Sequence, residues 1–197
     1  MEKIKIIQGT AAPLERSDVD TDQIIPSDWL KRVERTGFGA GLFEEWREDP
    51  AFVLNDPAYK GATILVAGPN FGTGSSREHA VWALTDYGFQ AVISPKFGDI
   101  FFNNSTKAGL VPVVAPADVV SDLQSAIARD PRLVVSIDVD LLQLRCDAIG
   151  LLIPFELNEF TRYRLLEGLD DIGLSLRHEE DIASYESTRK PWLPALA

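Results

Sequence analysis

The stretch Gly72-Thr73-Gly74-Ser75-Ser76-Arg77-Glu78-His79 concentrates groups that can do chemistry on an acidic substrate. It follows the apolar run at residues 63–67 and precedes Ala80, Ala83, Leu84 and Tyr87 at helical spacing, so it marks a strand handing over to a helix. The first amides of a helix lack partners within it and attract anions. Gly72 and Gly74 let a ligand approach the backbone, and Arg77 offers a planar fork matched to a carboxylate. A structural reading competes with the chemical one. Ser75 and Glu78 stand three apart, the spacing of a capping box in which the two satisfy each other's amides, with Ser76 then merely starting the helix and Arg77 solvated. The run matches neither the lysine-containing phosphate loop nor the G-x-S-x-G nucleophile elbow.

Asp18-Val19-Asp20-Thr21-Asp22-Gln23 places acids at alternate positions. No glycine or closing glutamate follows where a calcium loop needs them, and the plain alternative is a solvated turn before a strand. His79, one turn into an apolar helix, reads as a base or as a core side chain; His178 reads as a surface helix start and Cys146 as a buried, inert thiol. One cysteine excludes an internal disulfide and any iron–sulfur site built on several cysteines of this chain, and the two histidines sit in no zinc spacing. No metal is expected in this chain.

Acidic residues outnumber basic ones 30 to 19, a formal charge of −11, which argues against nucleic acid as a partner because phosphate binding relies on clustered lysine and arginine. A composition 45% hydrophobic and 25% charged calls for a packed core. No apolar run approaches the ~18 residues of a membrane span, and residues 1–10 lack the apolar stretch of a secretion signal. A cytoplasmic protein with no membrane partner is the expectation.

The elements that must position these groups read as follows. Residues 3–7 form a short strand; residues 27–41 a short helix running into a glycine-containing loop; residues 42–46 a helical turn; residues 50–61 a connector. Strand 63–67, a helix ended by Gly88, strand 91–93, helix 99–107, strand 110–114 and a helix from Pro116 with Val119, Leu123 and Ile127 on its apolar face alternate as parallel pairing requires. Residues 133–137, 141–146 and 148–153 are strands joined too closely for anything but antiparallel pairing. Helices are expected at 159–168 and 179–187. The fold class is α/β with a mixed sheet, the main body spanning residues 1–157 and a C-terminal helical extension residues 158–197.

Gly74-Ser75-Ser76-Arg77-Glu78-His79-Ala80 and Asp20-Thr21-Asp22-Gln23-Ile24-Ile25-Pro26 together resemble the small subunit of 3-isopropylmalate dehydratase, also called isopropylmalate isomerase, and the swivelling domain of the aconitase family. Thr36-Gly37-Phe38-Gly39, the stretch from Trp82 to Phe89, Asp99-Ile100-Phe101 and the stretch from Gly168 to Leu174 extend the likeness to nearly the whole chain. One departure is Thr73, where many such subunits carry cysteine. The resemblance implies a swivelling, three-layer β/β/α fold and a separate large subunit holding a 4Fe-4S cluster. It implies a hydro-lyase of leucine biosynthesis that interconverts 2- and 3-isopropylmalate, small dicarboxylate hydroxy acids, by dehydration and rehydration. It makes Ser75 the catalytic base, Arg77 the group that binds a substrate carboxylate, Ser76 a neighbour in the same pocket, and Asp22 with Thr21 an orienting acidic motif. Gly72, Gly74 and His79 support the loop. The segment after Pro26, with Trp29, Leu30, Lys31, Arg32 and Arg35, reads the variable side of the substrate, and residues 29–37 are expected to be mobile in the free subunit. Homoaconitate or a methylmalate remains open as the substrate. From other classes, a serine hydrolase using Ser75 with His79 and a non-catalytic carboxylate-binding module also stay open.

Overall fold

β1 (Ile6–Leu14) is divided lengthwise between two ladders, and that division organises the molecule. Its first half, Ile6 to Thr10, pairs antiparallel with β5 (Val134–Asp138), and its second half, Ala11 to Leu14, pairs parallel with β2 (Ile64–Ala67). Beyond β2 lie β3 (Ala91–Ser94) and β4 (Val111–Val114), both parallel; beyond β5 lie β6 (Gln143–Cys146) and β7 (Leu151–Pro154), both antiparallel. The order across the mixed sheet is β4-β3-β2-β1-β5-β6-β7. In this computed structural model the described residues are 1–31, 36–74 and 77–190.

Side chains of the parallel ladder alternate between two cores, as the two-residue period of a strand requires. Ala12, Leu65, Ala67 and Val92 pack with Phe71, Ala80, Leu84 and Phe101 toward α3 (Glu78–Tyr87) and α4 (Asp99–Ala108). Ala11, Ile64, Val66, Ile93 and Val113 meet Val120, Leu123 and Ile127 of α5 (Ala117–Arg129), and the same cluster takes in Val135, Ile137, Leu144 and Cys146 from the antiparallel strands. The parallel ladder thus lies between α3 and α4 on one face and α5 with the antiparallel strands on the other. Where β1 and β2 end, the buried Gln124 amide donates to the carbonyls of Leu14 (3.1 Å) and Val66 (3.0 Å).

Several elements differ from the sequence-based expectation. The first strand is not residues 3–7 but Ile6–Leu14, because Gly9-Thr10-Ala11-Ala12-Pro13 carries no alternating pattern; its alanines are small since both faces are covered, and Pro13 lies beyond the last residue paired with β5. The expected helix from residue 27 is a 3-10 turn, Ser27–Lys31, and another follows at Phe38–Gly41. The strand expected at 148–153 starts three residues later, after a 3-10 turn at Asp147–Ile149 closed by Gly150. The acidic stretch contains α1 (Thr21–Ile24), and α2 (Glu44–Arg47) follows. At the C-terminal end, α6 (Glu159–Glu167) buries Leu165, while α7 (Asp171–Leu176), not expected from sequence, and α8 (Glu179–Ser187) bury no side chain among the described residues.

Candidate active site

The glycine loop is threaded between two other segments by backbone hydrogen bonds. On one side Asp18 N–H donates to Pro69 O (2.9 Å), Gly72 and Thr73 N–H both donate to Val19 O (2.7 and 3.1 Å), and Thr21 N–H donates to Thr73 O (2.9 Å). On the other, Phe71 N–H donates to Lys96 O (3.0 Å) and Gly98 N–H to Phe71 O (2.9 Å). Gly72 is required at this crossing. Its φ is +73°, and a Cβ there would stand 2.2 Å from Cγ of Phe101. Gly74, at φ +91°, has room for a Cβ, so its requirement is conformational alone.

The crossing brings the two motifs of the sequence into contact. Asp20 caps α1: its Oδ1 accepts from Gln23 N–H (2.8 Å) while its own N–H donates to Gln23 Oε1 (3.0 Å), a reciprocal capping box. Thr21 is buried, and Asp22, on the exposed side of α1, pairs through Oδ1 with Nη1 of Arg77. Arg77 is 22% exposed against 56% for Asp22, so the solvated reading of the arginine does not hold. A guanidinium has five N–H donors, and one bond to Asp22 leaves capacity to grip a substrate carboxylate.

The capping-box reading of Ser75 and Glu78 is also corrected. Arg77 is extended (φ −90°, ψ 112°) and is itself the cap residue of α3, which makes Glu78 the first residue of that helix and not the third. Arg77 supplies no side-chain cap, so the described residues show the start of α3 as a set of amides beside a guanidinium. Ser75 and Ser76, the expected base and its neighbour, lie outside the described residues, as do Arg32 and Arg35.

His79 is half-buried in an aromatic group, its ring 5.3 Å from Phe38 and 4.7 Å from Trp82. Phe38 in turn lies 6.4 Å from Trp29. Trp29 is fixed: its indole N–H donates to Glu44 Oε2 (2.7 Å), and it lies so close over Gly41 that a Cβ there would be 2.3 Å from the ring. The segment expected to be mobile, residues 29–37, thus starts at an anchored indole, and residues 32–35 of it lie outside the described residues. Leu30 is half-buried beside it, and Lys31 is exposed and paired with Asp28 (2.8 Å). The structure thus gathers Thr21, Asp22, Gly72, Gly74 and Arg77 at one place and ties His79 to Trp29 through Phe38. Glu44 and Asp86, which accepts from Phe38 N–H (2.9 Å), were not singled out from sequence, although Asp86 belongs to a stretch that carries the family resemblance.

Among the described residues no three or more His, Cys, Asp or Glu side chains converge, and Cys146 is buried in β6, where burial pushes its thiol pKa up. Among the described residues no helix is long and apolar enough to cross a membrane.

Known proteins share both the sequence and the fold of this chain. Residues 1–118 match the model of the aconitase C-terminal domain, and residues 171–197 match that of the C-terminal domain of the 3-isopropylmalate dehydratase small subunit. The chain is 63% identical to the 3-isopropylmalate dehydratase small subunit of Parafrankia sp. (strain EAN1pec) over the whole of both chains, and 58% identical to that of Thermobifida fusca over 98% of each. The crystal structure of 3-isopropylmalate dehydratase from Methanocaldococcus jannaschii superposes with a TM-score of 0.68 at 29% identity, covering 92% of this chain and 99% of that one. The chain belongs to the family of 3-isopropylmalate dehydratase small subunits.

Proposed function

We propose that this chain, in complex with a separate large subunit in the cytoplasm, interconverts 2-isopropylmalate and 3-isopropylmalate through the dehydrated intermediate, as leucine biosynthesis requires. The observation that carries this reading is the meeting of Asp22 and Arg77 at the start of α3, two residues after Ser75. Ser75 acts as the base that removes a carbon-bound proton. A serine is a poor base unaided, so its alkoxide needs fixed amides and a cation close by, which the start of α3 and Arg77 are suited to supply. Arg77 holds a substrate carboxylate, and Asp22 keeps the guanidinium in the orientation that grip needs. On rehydration Ser75 returns the proton to carbon. With a single buried cysteine this chain lacks the donors of an iron–sulfur cluster, so the Lewis acid for the departing hydroxide is assigned to a 4Fe-4S cluster of the large subunit. Trp29 and Leu30 present apolar surface of the kind an isopropyl group would contact.

The test is anaerobic coexpression with the large subunit, followed by an assay of isopropylmalate dehydration with native chain and with Ser75→Ala. Loss of the base lowers turnover by orders of magnitude while assembly persists. A mutant complex that retains near-normal turnover removes Ser75 from the chemistry.

A further inference from the structure

The segment that leaves Trp29 and returns at Phe38 is held at both ends by carboxylates that belong to neither the reacting groups nor the grip on the substrate carboxylate. At the outgoing end, Glu44 of α2 accepts the indole N–H of Trp29 at 2.7 Å, and Gly41 lets the indole lie against the backbone. At the returning end, Asp86 near the C-terminus of α3 accepts Phe38 N–H at 2.9 Å. Gly39 fits against the Asp86–Tyr87 peptide so closely that a Cβ would stand 2.7 Å from Tyr87 N. The Phe38 ring is fully buried and touches His79 (5.3 Å) and Trp82 (5.7 Å) of α3, the helix that begins beside Arg77. Trp29 is therefore placed relative to Arg77 through a short series of packed groups, not through solvent.

We propose that Glu44 and Asp86 are positioning residues for substrate selection. Glu44 orients the Trp29 indole, Asp86 fixes where the chain re-enters at Phe38, and together they set the wall of Trp29 and Leu30 at a constant distance from the carboxylate-binding Arg77. This rests on the dehydratase reading above and adds to it the groups that set side-chain preference. An indole N–H bonded to a carboxylate holds one ring orientation, whereas an unbonded indole can rotate about its side-chain torsions. A wall that rotates loses its fit to a branched alkyl group more than its fit to a methyl.

The experiment compares 3-isopropylmalate with a malate bearing methyl in place of isopropyl, using the coexpressed large and small subunits. Glu44→Ala and Asp86→Ala are expected to lower the ratio of kcat/KM for isopropyl over methyl substrate by about five- to tenfold, roughly the net worth of one ordinary hydrogen bond. The loss should appear mainly in KM for the isopropyl substrate. Glu44→Gln and Asp86→Asn keep an acceptor oxygen and should stay within about threefold of wild type. Trp29→Phe keeps a ring but has no N–H; it should reproduce the Glu44→Ala ratio, and the double variant should add nothing further. Equal loss on both substrates, or Gln and Asn variants behaving like Ala, overturns the positioning role and leaves the two acids as stabilising groups. If an Ala variant fails to fold, the Trp29→Phe ratio decides, an unchanged value counting against the proposal. A wild-type complex that does not turn over isopropylmalate overturns the dehydratase reading itself, and this inference with it.

Discussion

Around Val19, Gly72 and Gly98 three segments cross with amides of one bonded to carbonyls of the next, while from Asp171 onward two short helices bury no side chain among the described residues. The first region takes its shape from distant parts of the chain; the second rests on the Asp170 cap and a few ion pairs, and His178 supplies no side-chain cap to α8. At the crossing, a Cβ on Gly98 would stand 2.4 Å from Gly72 O, so neither backbone can move independently. In the extension, Ile172 is 72% and Tyr185 64% exposed, and α7 begins with Asp170 accepting from Gly173 N–H (2.7 Å). Helices this short are marginal without tertiary packing, so the extension is expected to open locally more readily than the crossing. The groups proposed to act on the substrate sit at the crossing.

The largest effect should come from breaking that crossing. Gly72→Ala combines a left-handed φ with a clash into Phe101, together about 3 kcal/mol of destabilisation. Thermal or denaturant unfolding of the isolated chain measures it. A loss below about 1 kcal/mol would mean that the loop relaxes freely and that the contrast between the two regions is weaker than the hydrogen bonds indicate.

Arg77→Lys separates position from charge. Lysine keeps the cation but cannot form two parallel contacts with a carboxylate, so the complex should show a raised KM and slower turnover, about tenfold in kcat/KM, with little change in stability. Equal kinetics for the two proteins would take Arg77 out of the site.

Much of the parallel half was legible in sequence, because 63–88 switches from an apolar strand to helical spacing and is punctuated by glycines. β1 was not, since its second half, with Ala11 and Ala12 covered on both faces and Pro13 beside them, carries no periodic signal. Two stretches carried capping-box spacing, Ser75 with Glu78 and Asp20 with Gln23; spacing alone does not say which is used, and the structure shows the second. The pairing of Asp22 with Arg77 spans 55 residues and was reachable only through family resemblance. Glu44 and Asp86 escaped notice because their partners are a ring N–H and a backbone amide brought close by tertiary packing.

The smallest effect concerns the extension and is pH-dependent. The Asp170 carboxyl lies below the usual carboxylate range, chiefly because Gly173 N–H donates to it, which outweighs a desolvation penalty; the Met1 amine (3.8 Å), the Ile172 amide and Arg164 add further attraction. A carboxyl whose folded pKa is depressed contributes stability above its unfolded value, about 3.9, and loses it as pH falls through the lower folded value. The cap of α7 should therefore loosen only below about pH 4, while the crossing, held by backbone bonds that do not titrate, stays closed. Amide exchange of Gly173 and of Gly72 followed from pH 5 downward, after correction for the intrinsic rate, reads both ends of the comparison in one sample. Gly173 should lose its protection first, and Asp170→Asn should show the weaker protection already at pH 5. Loss of both amides together at one pH would show that extension and crossing unfold as a single unit, so that their difference in packing would not be a difference in stability.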